Sequence, residues 1–218
     1  MTRVDIGPTL LQKELKEAQN RLAQKPERWV GHEKVGRVLH WMGDPSAKDY
    51  LKKAAHIRIK ILRPGRVQGW ELMAIANYYR LAGEAQLAKN YFERAYEMLK
   101  AEVGDLNNPE EINLNPMQHL VMACFLLGRY EESIVYGKIY REDNPNPNLK
   151  LLAHRFTELA EAKISKDVTK AERAIDTIAA GIRSTKGKVQ STGIITSWDA
   201  YELGLEVLAE IEANNQLS

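Results

Sequence analysis

Residues 70–99, WELMAIANYYRLAGEAQLAKNYFERAYEML, contain two apolar stripes of helical period separated by one glycine. The stripe before Gly83 consists of Leu72, Ile75, Ala76 and Tyr79, and the stripe after it consists of Ala88, Phe92, Ala95 and Leu99. The small Ala88 and Ala95 let two backbones approach while Phe92 fills the space between them. This stretch therefore predicts an antiparallel helical hairpin.

The same plan recurs along the chain. A first hairpin is predicted around "MGDPS", where Gly43 suits a left-handed turn, Asp44 can accept hydrogen bonds from free helix amides, and Pro45 suits the start of the next helix. A third hairpin turns at Gly128, and a fourth spans residues 149–182 with only Ala171, Ile175 and Ile178 in the pattern. Residues 27–182 are therefore predicted to form about four hairpins.

Both ends of the chain are predicted to be helical. Leu11, Leu15, Ala18 and Leu22 form one stripe of a helix over residues 8–24. The polar residues 184–197 lack helical period and are interpreted as a mobile loop before a last helix over residues 198–213. The two end helices would cap the array, so residues 1–218 are predicted to form one domain.

These hairpins resemble tetratricopeptide repeats (TPRs), which carry a glycine in the turn and small and aromatic residues at fixed positions after it. Gly83, Ala88, Phe92 and Ala95 match that order directly. Looser matches are Gly43, Ala47, Leu51 and Ala54, with Val35-Gly36 before them, and Gly128, Ser133, Gly137, Tyr140 and Pro145. Gly137 stands where the family has an aromatic residue. The turn glycines are 40 and 45 residues apart, against about 34 in the family.

The resemblance implies an all-α fold, a right-handed superhelical stack of TPR-like hairpins with terminal capping helices. Because stacked hairpins leave a concave surface made by the first helix of each pair, and because no catalytic motif is found, we expect a non-enzymatic protein-interaction scaffold without a cofactor, which binds a peptide or protein segment on that surface. An adaptor, a regulator or a bacterial immunity-type protein would fit this description.

The candidate partner-binding residues are those on the concave stripe of the first helices. Large, amphipathic and guanidinium side chains are the types that anchor interfaces. The set is Arg37, His40, Trp41, Trp70, Met73, Asn77, Arg80, Met122 and Phe125. The alternative is that Trp70, Met73 and Phe125 simply pack against adjacent repeats.

Some TPR proteins grip a partner's C-terminal carboxylate with Lys, Asn and Arg side chains, and this chain does not match that set. Glu33 and Arg37 stand where Lys and Asn would be needed, and Ala74, Asn115 and His119 replace three further members. Because Glu33 would repel an anion, a chaperone-tail adaptor is not expected.

A basic stretch at residues 52–66 offers a second hypothesis. It contains six Lys and Arg residues and no acid, and Lys52, Lys60, Arg63 and Arg66 are candidates for contacting phosphates. A nucleic-acid-binding repeat protein is therefore the alternative function. A solvated helix face explains the same charges, and no aromatic residue for base stacking occurs within the stretch.

Other chemistry finds little support in the sequence. The five histidines form no metal-ligand pair at helical spacing, so no metal site is expected. The single Cys124 lies on an apolar stripe and is expected to be a core residue. The net charge of +2 is near balance, and no stretch reaches the roughly 20 apolar residues of a membrane span. A cytoplasmic protein without a membrane partner is expected.

Overall fold

The computed structural model describes residues 8–143, 147–184 and 194–216 of the chain. These residues contain ten α-helices, one short 3₁₀ helix at Pro109–Glu111, and no strand. The helices are α1 (Pro8–Gln24), α2 (Trp29–Trp41), α3 (Ala47–Ile61), α4 (Gly69–Leu81), α5 (Ala85–Val103), α6 (Leu114–Leu126), α7 (Tyr130–Asp143), α8 (Pro147–Ser165), α9 (Val168–Ser184) and α10 (Ser197–Gln216).

Eight of these helices form the four predicted hairpins: α2 with α3, α4 with α5, α6 with α7, and α8 with α9. Each hairpin packs on the next through α3 and α4, α5 and α6, or α7 and α8. The helix α1 covers α2 at one end, and α10 packs on α9 and α8 at the other. The predicted all-α stack of hairpins with terminal helices is thereby confirmed.

The turns within the first three hairpins share one backbone geometry. Gly43, Gly83 and Gly128 have φ angles of 73°, 78° and 74°, in the left-handed region that glycine adopts without a steric penalty. The amide of the residue after each glycine donates to the carbonyl five residues earlier, over 2.9, 2.9 and 2.8 Å. This pattern satisfies the free carbonyls of a helix end and confirms the prediction for Gly43.

The fourth hairpin makes the same kind of turn with a different residue. Lys166 has a φ of 52°, and the amide of Asp167 donates to the carbonyl of Ala162 over 3.1 Å. A hairpin therefore forms here without the turn glycine that marks the other three.

Two helical glycines allow close helix packing. A Cβ atom on Gly36 would lie 2.7 Å from Cγ of Leu51 in α3, and one on Gly137 would lie 1.9 Å from Oγ1 of Thr157 in α8. Gly137 thus stands in place of the aromatic residue of the family pattern because α8 passes too close for any side chain.

The end helices agree with the predictions in part. The helix α1 has the predicted bounds, whereas α10 extends beyond the predicted residues 198–213 at both ends. Most of the predicted loop at 184–197, residues 185–193, lies outside the described residues. In its last part, Ile195 and Thr196 are buried. No helix in the described ranges is both long and apolar enough to cross a membrane.

Candidate functional site

Five of the nine predicted partner-binding residues meet the N-terminal part of α10. They come from one face of α2 and α4 and are Arg37, His40, Trp41, Asn77 and Arg80. Their counterparts are Trp198, Asp199 and Glu202 in the first two turns of α10. We call these eight residues the clasp. The chain's own last helix therefore covers the part of the concave surface that α2 and α4 provide.

Asp199 is the centre of the clasp and is fully buried. Nη1 of Arg37 donates to Oδ2 of Asp199 over 2.5 Å, and Nδ2 of Asn77 donates to the same oxygen over 3.3 Å. Nη2 of Arg80 lies 3.7 Å from Oδ1 of Asp199. Two helices that are distant in sequence from α10 thus supply cationic and amide donors to one carboxylate.

The same carboxylate also caps its own helix. Oδ2 of Asp199 accepts from the amide of Thr196 over 2.7 Å and from its hydroxyl over 2.9 Å, while the Asp199 amide donates to the Thr196 hydroxyl over 3.2 Å. This reciprocal arrangement is a capping box. The carbonyl of Ile194, just before the cap, accepts from Asn77 over 3.0 Å and from Arg37 over 3.4 Å.

The outer part of the clasp combines charge with aromatic contact. Nε2 of His40 and Oε1 of Glu202 are 2.8 Å apart, and Nη1 of Arg80 lies 3.5 Å from Oε2 of Glu202. The rings of Trp41 and Trp198 contact each other with centroids 5.2 Å apart. The α2 and α4 residues of the clasp thus contact one tryptophan and two carboxylates from the first two turns of α10.

Burial and neighbouring charges together set the protonation states of Asp199, Arg37 and Glu33. Burial alone would raise the pKa of Asp199, but Arg37 and Arg80 together lower it below its ordinary value. Burial alone would lower the pKa of Arg37, but the carboxylates of Asp199 and Glu33 raise it. Burial raises the pKa of Glu33 in spite of its contact with Arg37. Asp199 is therefore the carboxylate that stays ionised beside Arg37.

The position of Glu33 corrects the argument that it would repel an anion from this surface. Nε of Arg37 donates to Oε1 of Glu33 over 3.1 Å, and Nη1 of the same guanidinium holds Asp199. The surface holds the carboxylate of Asp199 because Arg37 contacts both Glu33 and Asp199. Asn77 and Arg80 add further donors to Asp199.

Four of the nine predicted residues lie outside the clasp. Met73, Met122 and Phe125 are buried in the core, with Phe125 packed against Phe156 at 5.2 Å between ring centroids. Their predicted place on an accessible concave lining is wrong in this structure, since they fill the space between helices. Trp70 is the second residue of α4, and its ring centroid lies 5.2 Å from the guanidinium carbon of Arg58. Binding of a partner by any of the nine stays a prediction.

Sequence reasoning missed the residues that α10 contributes. Thr196 and Asp199 have the Thr-x-x-acid spacing of a capping box before an apolar run, which could have located the helix start. Nothing local indicates the partner of Asp199, because Arg37 is 162 residues away along the chain.

The candidate phosphate-binding residues divide into two groups. Lys52 forms an ion pair with Glu84 at the start of α5, so its charge is already matched. Lys60, Arg63 and Arg66 are exposed near the other end of α3. Arg58, in contrast, is buried, with its guanidinium carbon 4.3 Å from the ring centroid of Trp29 and its Nη1 donating to the hydroxyl of Tyr78 over 3.2 Å.

The described ranges contain no candidate site for metal binding or for a reactive thiol. No group of three His, Cys, Asp or Glu side chains there could hold a metal ion. Cys124 is fully buried, as expected, and burial raises the pKa of its thiol to about 12. A thiol held in this protonated form is a poor nucleophile.

Comparisons with known proteins give structural matches alone. No family model matches the chain, and a search of curated proteins gives no match either. The chain is similar to a solved structure of a Podosopora anserina protein described as a kinesin light chain with nearly identical TPR-like repeats, at 15% identity and a TM-score of 0.44, over 83% of this chain and 90% of that one. A variant of that protein matches at 17% identity and a TM-score of 0.42, over 96% and 90%.

Proposed function

We propose that this chain is a non-enzymatic protein-interaction scaffold in which α2 and α4 bind an acidic helical segment of a partner protein. The first turns of α10 are the resident occupant of that surface. The observation that carries the proposal is the fully buried Asp199, held by Arg37, Asn77 and Arg80. An adaptor or regulator, including a bacterial immunity-type protein, would use such a surface.

The energetics of the clasp favour a recognition role. Removing two charges from water costs several kcal/mol per ion, roughly as much as their attraction returns, and well-packed apolar residues often stabilise a fold equally well. A chain that needed only to close its last helix could do so with apolar contacts. The buried ion pair between Arg37 and Asp199 is better explained by specificity for a charged ligand.

The α2 and α4 residues that α10 now covers define the chemistry of the expected partner. If α10 moves away, Arg37 keeps Glu33, while Arg80 and Asn77 lose the carboxylate that they contact. The exposed surface would then carry excess positive charge beside the ring of Trp41. We therefore expect a partner helix with an aromatic residue, an acid next to it and a second acid three residues later, as in Trp198, Asp199 and Glu202.

The experiment uses the full chain and a labelled peptide of residues 194–208. In a variant with Trp198→Ala and Asp199→Ala, the resident helix holds the surface less well, so the peptide should bind at least about tenfold more tightly than to the unmodified chain. Fluorescence anisotropy measures both affinities.

Two controls make this experiment decisive. A peptide with Asn in place of Asp199 and Gln in place of Glu202 should lose binding, and Arg80→Ala added to the variant should weaken it. Equal affinity for the unmodified and variant chains, or indifference to the peptide's charges, would contradict the proposal.

A further inference from the structure

The end of the stack where α2 and α4 begin is rich in exposed cations. Six Lys and Arg side chains lie there, on α1, the α1–α2 connection, α3 and the α3–α4 connection. We call them the basic edge: Arg21, Lys25, Arg28, Lys60, Arg63 and Arg66. Within the described part of the chain none of the six forms an ion pair, and Glu27 is the acid between Lys25 and Arg28.

Ring contacts show that the two connections meet at one edge. Arg58, one turn before the end of α3, lies 4.3 Å from the ring centroid of Trp29 and 5.2 Å from that of Trp70. Trp29 is the first residue of α2 and Trp70 the second of α4. The starts of both helices therefore flank the end of α3, which brings cations from two distant stretches of sequence onto one surface.

A cavity of about 280 Å³ opens at the α1 side of this edge. Its charged lining consists of Arg21, Lys25, Arg28 and Lys34, without an acid. Lys34 is matched by Glu14 at 3.3 Å, so the other three supply the positive charge. A concave site with three such cations suits a phosphate group.

We propose that the basic edge binds the phosphodiester backbone of a single-stranded nucleic acid, at a site separate from the clasp. Cations that continue past the cavity from α1 to the α3–α4 connection fit an extended polyanion better than a single phosphate. Trp29 and Trp70 are half-buried beside the cations and add the aromatic surface on which unpaired bases stack. This aromatic contribution comes from α2 and α4 and is absent from the basic stretch itself.

The test compares two triple charge reversals in the full chain. The edge variant carries Lys25→Glu, Arg63→Glu and Arg66→Glu. The control carries Lys48→Glu, Lys89→Glu and Lys170→Glu, which are exposed at the other edge of the stack and change the net charge equally. Circular dichroism checks that both variants fold, and the anisotropy of a labelled single-stranded oligonucleotide reports binding between about 50 and 200 mM salt.

The edge variant should bind at least about tenfold more weakly than the unmodified chain, and the slope of log K against log salt should become shallower by about 2, as three lost phosphate contacts imply. The control variant should keep both values. Four results would overturn the proposal: no binding by the unmodified chain, equal weakening in both variants, tighter binding of a duplex, or equal binding of a polyglutamate peptide.

Discussion

At the scale of single residues, the oxygens of Asp199 face different parts of the chain. Oδ2 accepts the hydrogen bonds from Thr196, Arg37 and Asn77, whereas Oδ1 lies toward Arg80. One side chain therefore couples the start of α10 to both α2 and α4. Its ionised form stabilises the fold above its ordinary pKa near 3.8, and that stability is lost as the pH falls through the lower pKa of the folded state.

Replacing Asp199 should reveal the cost of breaking a buried ion pair. Asp199→Asn keeps the size of the side chain but removes the negative charge that Nη1 of Arg37 contacts, so the free energy of unfolding should fall by about 3–5 kcal/mol. Urea denaturation at neutral pH measures it. The control Asp49→Asn, at an exposed site in the first turn of α3, should change stability by less than about 0.5 kcal/mol. Similar small effects of both substitutions would mean that the clasp does not hold α10.

His119 should make the fold sensitive to mild acid. Burial lowers its pKa to about 4, from an ordinary value of 6.5, so the unfolded chain binds a proton in this interval that the folded chain does not. Stability should therefore fall as the pH drops from 6.5 to 4, by roughly 1–3 kcal/mol from this residue. In His119→Gln, urea denaturation at several pH values should show a correspondingly smaller fall. An unchanged pH profile would contradict the assignment to His119.

At the scale of the elements, three of the four intra-hairpin turns have a glycine in the left-handed position, and the fourth has Lys166. Lys166 occupies a left-handed conformation that costs a residue with a Cβ atom about 1–2 kcal/mol. Lys166→Gly should therefore raise the free energy of unfolding by about 1 kcal/mol. Thermal denaturation checks this, with Lys166→Ala as the control that removes the charge but keeps the Cβ atom. An equal gain in both variants would assign the effect to the charge instead.

The contact between α7 and α8 should not tolerate a methyl group. Gly137→Ala gains helix propensity, yet its Cβ atom would overlap Oγ1 of Thr157, so we expect a net loss of about 1–3 kcal/mol. Thr157→Ala removes the overlapping atom and should restore most of the loss in the double variant. A double-mutant cycle by urea denaturation without coupling between the two sites would show that α7 and α8 are farther apart than described.

The helices and their turns could be predicted because their signals are local. Apolar stripes of helical period and the glycines at 43, 83 and 128 lie within the segments that they shape. The burial of the second face of α4 could not be predicted. Residues 72–79 and Leu81 are all buried, and a helix covered on every side lacks the one-sided apolar pattern that shows which face is buried. The clasp could not be predicted either, since its ion pairs join residues about 120–160 positions apart.

At the scale of the whole molecule, α10 adds contacts between hairpins that are not neighbours in the stack. A simple repeat array has contacts between neighbouring repeats alone, so that its stability is a sum of local terms. Here the last helix packs on α8 and α9 and also reaches α2 and α4 through the clasp. The first two hairpins are therefore coupled to the end of the chain, and the surface that they offer depends on where α10 lies.

Amide hydrogen exchange on the full chain tests this coupling most directly. With Asp199→Asn, we predict that exchange speeds up most in residues 197–203 of α10 and in α2 and α4, and less in α6, α7 and the core of α9. Exchange that rises uniformly over the chain, or does not change in α2 and α4, would contradict the account that the clasp joins α10 to the first two hairpins.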